Sequence, residues 1–133
     1  MEVKDVMLNM DRFPVILQTL FFKEALDVMN EKRLGIACIV DEKKVLKGIL
    51  TDGDIRRKLL KEQKPLSSLF VDDSIEHAII NPTVITLDAS LKEAVDIMEQ
   101  KQIWDLPVVD AGGVLVGLLH LHPVVQALLN GKN

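Results

Sequence analysis

The residues with the most chemical potential are few. His120 and His122 sit two apart, a spacing that brings two imidazoles to one metal only in an extended or loop segment, and no third ligand accompanies them. No metal site is expected from them. Gly48-x-x-x-x-Gly53 and Gly112-x-x-x-x-Gly117 have phosphate-loop spacing, but Asp54 and Leu118 stand where such a loop needs lysine. Neither a Gly-x-Ser-x-Gly elbow nor a His-Glu-x-x-His zinc motif occurs, so no catalytic residue is expected. Thr51 and Asp54 lie where a helix begins, and their plainest role is to cap it. Arg56, Arg57, Lys58 and Lys61 read as a basic helix face. Trp104, the single tryptophan, reads as a packing residue. Cys38 cannot form an internal disulfide; its apolar run Ile36–Val40 marks it as a core thiol in a reducing compartment.

These residues must be placed by a modest chain of 133 residues, one ordinary domain or two very small ones. Hydrophobic residues make up 48% and aromatics only 4%, so the core is built from Leu, Ile, Val, Ala and Met. Lys and Arg number 16 against 20 Asp and Glu, a net charge of −4. No basic field exists for a phosphate backbone, so no DNA partner is expected. Charges at Glu2, Lys4, Asp5, Asp11 and Arg12 interrupt any signal-peptide core, and no stretch approaches the roughly 18 apolar residues of a membrane span. A cytoplasmic protein is the expectation.

An internal repeat organises the chain. Shifted on itself by 69 residues, the sequence places Val15-Ile16 on Val84-Ile85, Lys23-Glu24-Ala25 on Lys92-Glu93-Ala94, Val40-Asp41 on Val109-Asp110 and Gly48 on Gly117. Of the 46 positions from 15 to 60, 16 are identical without a gap. Each copy reads β-α-β-β-α. A short strand (Val84-Ile85-Thr86 in copy two) leads to a helix opened by the Ser90/Glu93 capping box. Leu91, Ala94, Val95 and Met98, matching Phe22, Ala25, Leu26 and Met29, form its apolar stripe. A hairpin follows, with strands 36–40 and 45–50 or 106–109 and 114–119, turning at Asp41 or Asp110. A closing helix begins near Asp54 or Pro123. Residues 1–12 read as a lead-in equivalent to the segment before copy two, with Val6 falling on Ile75, and 75–80 reads as a short helix. The expected class is α+β, with repeat 1 over residues 1–65 and repeat 2 over 66–133, packed as a pseudo-two-fold pair.

This repeated unit resembles a tandem CBS domain pair over nearly the whole chain. The resemblance is carried by Asn81-Pro82, Leu106-Pro107-Val108-Val109-Asp110 and Gly117-Leu118-Leu119, and by Gly48-Ile49-Leu50-Thr51-Asp52-Gly53-Asp54 in copy one. Thr51–Arg57, Leu119–His122 and Lys32-Arg33-Leu34-Gly35 look most like the C-terminal CBS pair of arabinose-5-phosphate isomerases and related sugar-phosphate isomerases. The isomerase domain itself is absent from this sequence.

The resemblance implies a regulatory module that binds an adenosyl or related nucleotide (AMP, ADP or ATP) in the cleft between repeats and modulates an attached or partner enzyme, with no cofactor required. The family's ribose signature falls on Gly48, Thr51 and Asp54. Asp54 would accept hydrogen bonds from the two ribose hydroxyls, Thr51 would add a hydroxyl, and Gly48 would permit close approach. Free amides at the helix start would favour a phosphate. The implied nucleotide-binding set is Gly48, Thr51, Asp54, Arg56, Ile16, His120 and His122, with Arg56 the stand-in phosphate ligand because Asp105 would repel one. In copy two, His120 and Pro123 replace the signature, so that site is expected to be degenerate or specialised. The other reading is a ligand-free dimerisation module, a homodimer joined through helices exposing Phe21, Phe22 and Val124–Leu129.

Overall fold

The computed structural model describes residues 1–131. The architecture is α+β and falls into two compact units, Asp11–Pro82 and Met1–Met10 with the chain from Thr83 onward. These units cut the chain differently from the sequence repeat. Each lead-in segment packs with the hairpin of the other copy.

In the first unit, β1 (Val15–Leu17) runs parallel to β2 (Ile36–Val40). Strand β2 pairs antiparallel with β3 (Leu46–Thr51), and β3 with β4 (Ile79–Ile80). All five residues of β2 are buried, as its unbroken apolar run requires. Helix α1 (Phe22–Lys32) buries Phe22, Ala25 and Met29 against Ile16, Ala37, Ile39 and Leu50. Each large side chain fully buried there contributes about 1.5–3 kcal/mol. Helix α2 (Asp52–Glu62) contains no fully buried residue.

The second unit repeats the plan with β5 (Ile85–Thr86), α3 (Leu91–Lys101), β6 (Asp105–Val109), β7 (Leu115–His120) and α4 (Leu121–Asn130). The repetition extends to single atoms. The Asp41 carboxylate accepts from the amides of Lys43 and Val45, and Asp110 accepts from Gly112 and Val114. Helices α1 and α3 both end on a left-handed residue, Arg33 (φ 58°) and Gln102 (φ 53°). The capping box is shared out. Ser90 accepts from the Glu93 amide, whereas Phe21 has no acceptor and its own amide donates to Glu24 Oε1.

Four expectations change. Segment 75–80 is not a helix: Ser74–His77 forms one 3-10 turn and Ile79–Ile80 a strand, because β3 offers an unpaired edge at Gly48 and Ile49. The lead-ins align at an offset of two more residues than the repeat. Val3 and Ser74, both fully buried, donate their amides to Ala89 and Leu20, and Leu8 meets Leu118 as Ile79 meets Ile49. Phe22 and Val124 are 2% and 1% exposed, so neither lies on an exposed helix face, while Val125, Leu128 and Leu129 do; Phe21 is exposed but precedes α1 as its N-cap. Trp104 is 69% exposed and is no packing residue.

Candidate functional site

Strand β3 delivers Thr51 directly to the start of α2, opposite Ile36 of β2. Thr51 is the N-cap: its Oγ accepts the Asp54 amide at 3.2 Å. The same hydroxyl donates to Asp54 Oδ2 at 2.5 Å, and Arg57 Nη2 donates to Asp54 Oδ1 at 2.7 Å. Both carboxylate oxygens are thereby engaged. Partial burial pushes the Asp54 carboxyl up, but the Thr51 hydroxyl and the Arg57 guanidinium outweigh that and hold it below the ordinary value of 3.8. Gly53 leaves room for Arg57 to fold back: an added Cβ there would lie 3.1 Å from its guanidinium. Gly35 does the same for Asp52, whose Oδ2 would lie 2.6 Å from such a Cβ. Beside them runs a shallow groove lined by Leu26, Met29, Asn30, Arg33 and Leu34.

Chemically this is an ionised carboxylate whose oxygens are held by a hydroxyl and a guanidinium, groups that the vicinal hydroxyls of a sugar can replace one for one. The expected supply of free amides is mostly spent. The Asp52 amide donates to the Gly35 carbonyl at 3.0 Å and the Asp54 amide to Thr51. Any anion here would rely on arginine rather than on the helix end.

The second unit rebuilds the same junction with other groups. Asp105 on β6 faces His120 on β7, the register positions of Ile36 and Thr51. His120 Nδ1 lies 2.6 Å from Asp105 Oδ1. With Asp105 ionised the carboxylate only accepts, so the proton of this contact sits on Nδ1 and Nε2 is the second polar position of the ring. Burial raises the Asp105 carboxyl, and the His120 contact only partly offsets it. Asp105 is therefore more than a repulsive group; it positions the imidazole. Pro123 sits in the first turn of α4, where Asp54 sits in α2.

The structure thus brings Thr51 and Asp54 together in one unit and sets His120 on Asp105 in the other. Ile16 is 2% exposed and its side chain belongs to the core, which removes it from any ligand surface. At Gly48, a Cβ would meet the Ile79 carbonyl at 2.9 Å and Ala78 Cβ at 3.1 Å, so the missing side chain admits β4 rather than a ligand. Gly117 admits Met7 and Leu8 in the same way. Arg56 and His122 are exposed on α2 and α4. Arg57, read from sequence as a solvated cation, is the arginine that reaches Asp54. Asp105 was also missed as a partner. Counting both strands outward from the Asp110 turn sets it opposite Leu119; a bulge between Val108 and Val109 shifts the register by one and brings His120 there instead.

Comparison with known proteins adds a family and a scale. The CBS domain family model matches residues 3–61 and 77–130. A probable arabinose 5-phosphate isomerase of Haemophilus influenzae is 39% identical over 118 residues, 89% of this chain and 33% of that protein. Arabinose 5-phosphate isomerase KdsD of Escherichia coli is 28% identical over 131 residues, 96% of this chain and 37% of that one. The chain spans about a third of the length of the curated relatives it matches. Among solved structures, CBSX2 in complex with AMP superposes with a TM-score of 0.85 at 26% identity, covering 99% of this chain and 98% of the other.

Proposed function

The chain belongs to the CBS domain family, and from that premise we propose that it is a non-catalytic regulatory module whose ligand is an adenosyl or related nucleotide. One observation carries the reading. The Thr51–Asp54 pair at the β3–α2 junction is an ionised carboxylate with a hydroxyl beside it, the donor and acceptor set that suits a ribose diol. The AMP complex of the similar CBSX2 supports a nucleotide as ligand class. Arg57 supplies positive charge beside the carboxylate and is a better placed phosphate partner than Arg56. The relatives named as arabinose 5-phosphate isomerases support a sugar-phosphate isomerase as the regulated enzyme. The module acts by binding one arrangement of its units more tightly than another and so biasing the attached or partner enzyme. Its setting is cytoplasmic in this reading. Among the described residues no helix is long and apolar enough to cross a membrane.

The test is a thermal-shift and calorimetric screen with AMP, ADP, ATP, S-adenosylmethionine and CMP-sugars against the native chain and Asp54→Ala. A saturable shift that Asp54→Ala removes supports the proposal. No response to any nucleotide leaves the second reading, a dimerisation module. That reading draws on Val125, Leu128 and Leu129, which are 43%, 40% and 70% exposed along α4. It predicts a homodimer in sedimentation that Leu129→Glu dissociates.

A further inference from the structure

We propose that the turn following α2 holds a divalent cation through Asp72, Glu76 and His77. One ligand atom from each of these residues lies within 4.8 Å of the other two. His77 Nε2 is 2.9 Å from Asp72 Oδ2. A tetrahedral ion at about 2.0–2.1 Å from its ligands separates them by about 3.3 Å, so this hydrogen-bonded pair needs to part by only about 0.4 Å to admit one. Glu76 is exposed and has the side-chain freedom to close the third position.

The histidine distinguishes this group from a pair of surface acids. Its side chain is only 7% exposed. The Phe22 ring packs edge-on at 4.9 Å and fixes the imidazole plane. Nδ1 is buried without a hydrogen-bond partner among the described residues, so the polar engagement of the ring is its Nε2 edge, aimed at the carboxylates. The backbone is equally held. The Asp72 carbonyl accepts from Phe22 at 2.8 Å, and the Ser74 amide donates to Leu20 at 2.8 Å.

The turn does not need these residues for its shape. The matching turn of the second unit, Val3–Asp5, makes the same backbone bonds, with Met1, Asp5 and Val6 at the positions of Asp72, Glu76 and His77. Only the first unit carries the ligand set. One imidazole nitrogen and two carboxylate oxygens suit a borderline ion such as Zn²⁺ or Co²⁺ better than Mg²⁺. A water would complete the coordination. The spacing Asp-x-x-x-Glu-His was on view in the sequence, but the turn that gathers it was not.

The experiment uses the whole 133-residue chain, freed of metal by chelation and titrated with Zn²⁺ in a calorimeter. Co²⁺ absorption serves as an independent readout of nitrogen and oxygen ligation. One Zn²⁺ per chain is expected. Glu76→Gln, an exposed change that leaves the fold intact by circular dichroism, weakens binding about tenfold or more. Asp72→Asn and His77→Val abolish it, while His120→Ala and His122→Ala leave it unchanged. Absence of saturable Zn²⁺ binding overturns the proposal. So does binding that persists in Glu76→Gln and Asp72→Asn alike, or that is lost in His122→Ala. Because this site is remote in sequence from Thr51 and Asp54, its failure leaves the nucleotide reading standing, and the reverse also holds.

Discussion

The two β-hairpin-to-helix junctions share a backbone and differ in everything polar. In the first unit, Thr51 caps α2 and Asp54 is held by Thr51 and Arg57. In the second, Asp105 holds His120 across the strands and a proline replaces the second acid. The hydrogen-bond register of the strands and the Asp turns repeats from one unit to the other. A duplicated scaffold has therefore kept its main-chain solution while its strand ends diverged in charge and proton affinity. What positions a site and what gives it chemistry are separable here.

The largest expected effect tests the shared half of that comparison. Leu50 and Leu119 are equivalent, both 0% exposed. Leu50→Ala and Leu119→Ala should each cost about 2–5 kcal/mol in urea unfolding, as large-to-small core changes do. Near-equal costs are expected if the two cores are interchangeable. A cost below about 1 kcal/mol in one unit alone would break the equivalence.

The polar half breaks unequally. His120→Val leaves Asp105, with a side chain 20% exposed, without its partner and should cost about 1–3 kcal/mol. Thr51→Val loses an N-cap while Arg57 stays on Asp54, and should cost about 1 kcal/mol. The reverse order in thermal denaturation would mean that His120 is merely surface decoration.

Acidity separates the junctions by sign. The Asp54 carboxyl is held below 3.8 in the folded chain, so its stabilisation is present above 3.8 and is lost as pH falls through the lowered value. The Asp105 carboxyl is raised above 3.8, so its contribution is present below 3.8 and is lost as pH rises through the raised value. The stability difference between the native chain and Asp54→Asn should therefore grow with pH just below 3.8. The difference for Asp105→Asn should shrink with pH just above 3.8. Parallel slopes in the two series would refute the contrast.

The sequence showed the scaffold far better than the sites, for a physical reason. The repeat, the α1 and α3 stripes and the Asp41 and Asp110 turns follow from local periodicity and turn chemistry. Even so, the exchange of lead-ins escaped, because Met1–Met10 packing with the chain from Thr83 is a non-local pairing with no signal of its own. Gly48 and Gly117 were visible as a matched pair, yet the strands they admit were not. Thr51 and Asp54 were legible because three residues span one helical turn. The Asp105–His120 pair is 15 residues apart and is created by strand register alone.

The smallest stability effect sharpens the comparison most finely. The Arg57 side chain is 62% exposed, and its bond to Asp54 is an i,i+3 surface pair, so Arg57→Ala should change stability by no more than about 0.5 kcal/mol. Binding should respond more than stability. Removing Arg57 frees one oxygen of Asp54 for a ribose hydroxyl and also removes the cation beside it. Affinity for adenosine should then hold or rise, while affinity for AMP falls, in paired calorimetric titrations. A loss of equal size for both ligands would mean that Arg57 only orders the loaded carboxylate. The junction would then recognise the sugar alone, and the phosphate would owe nothing to α2.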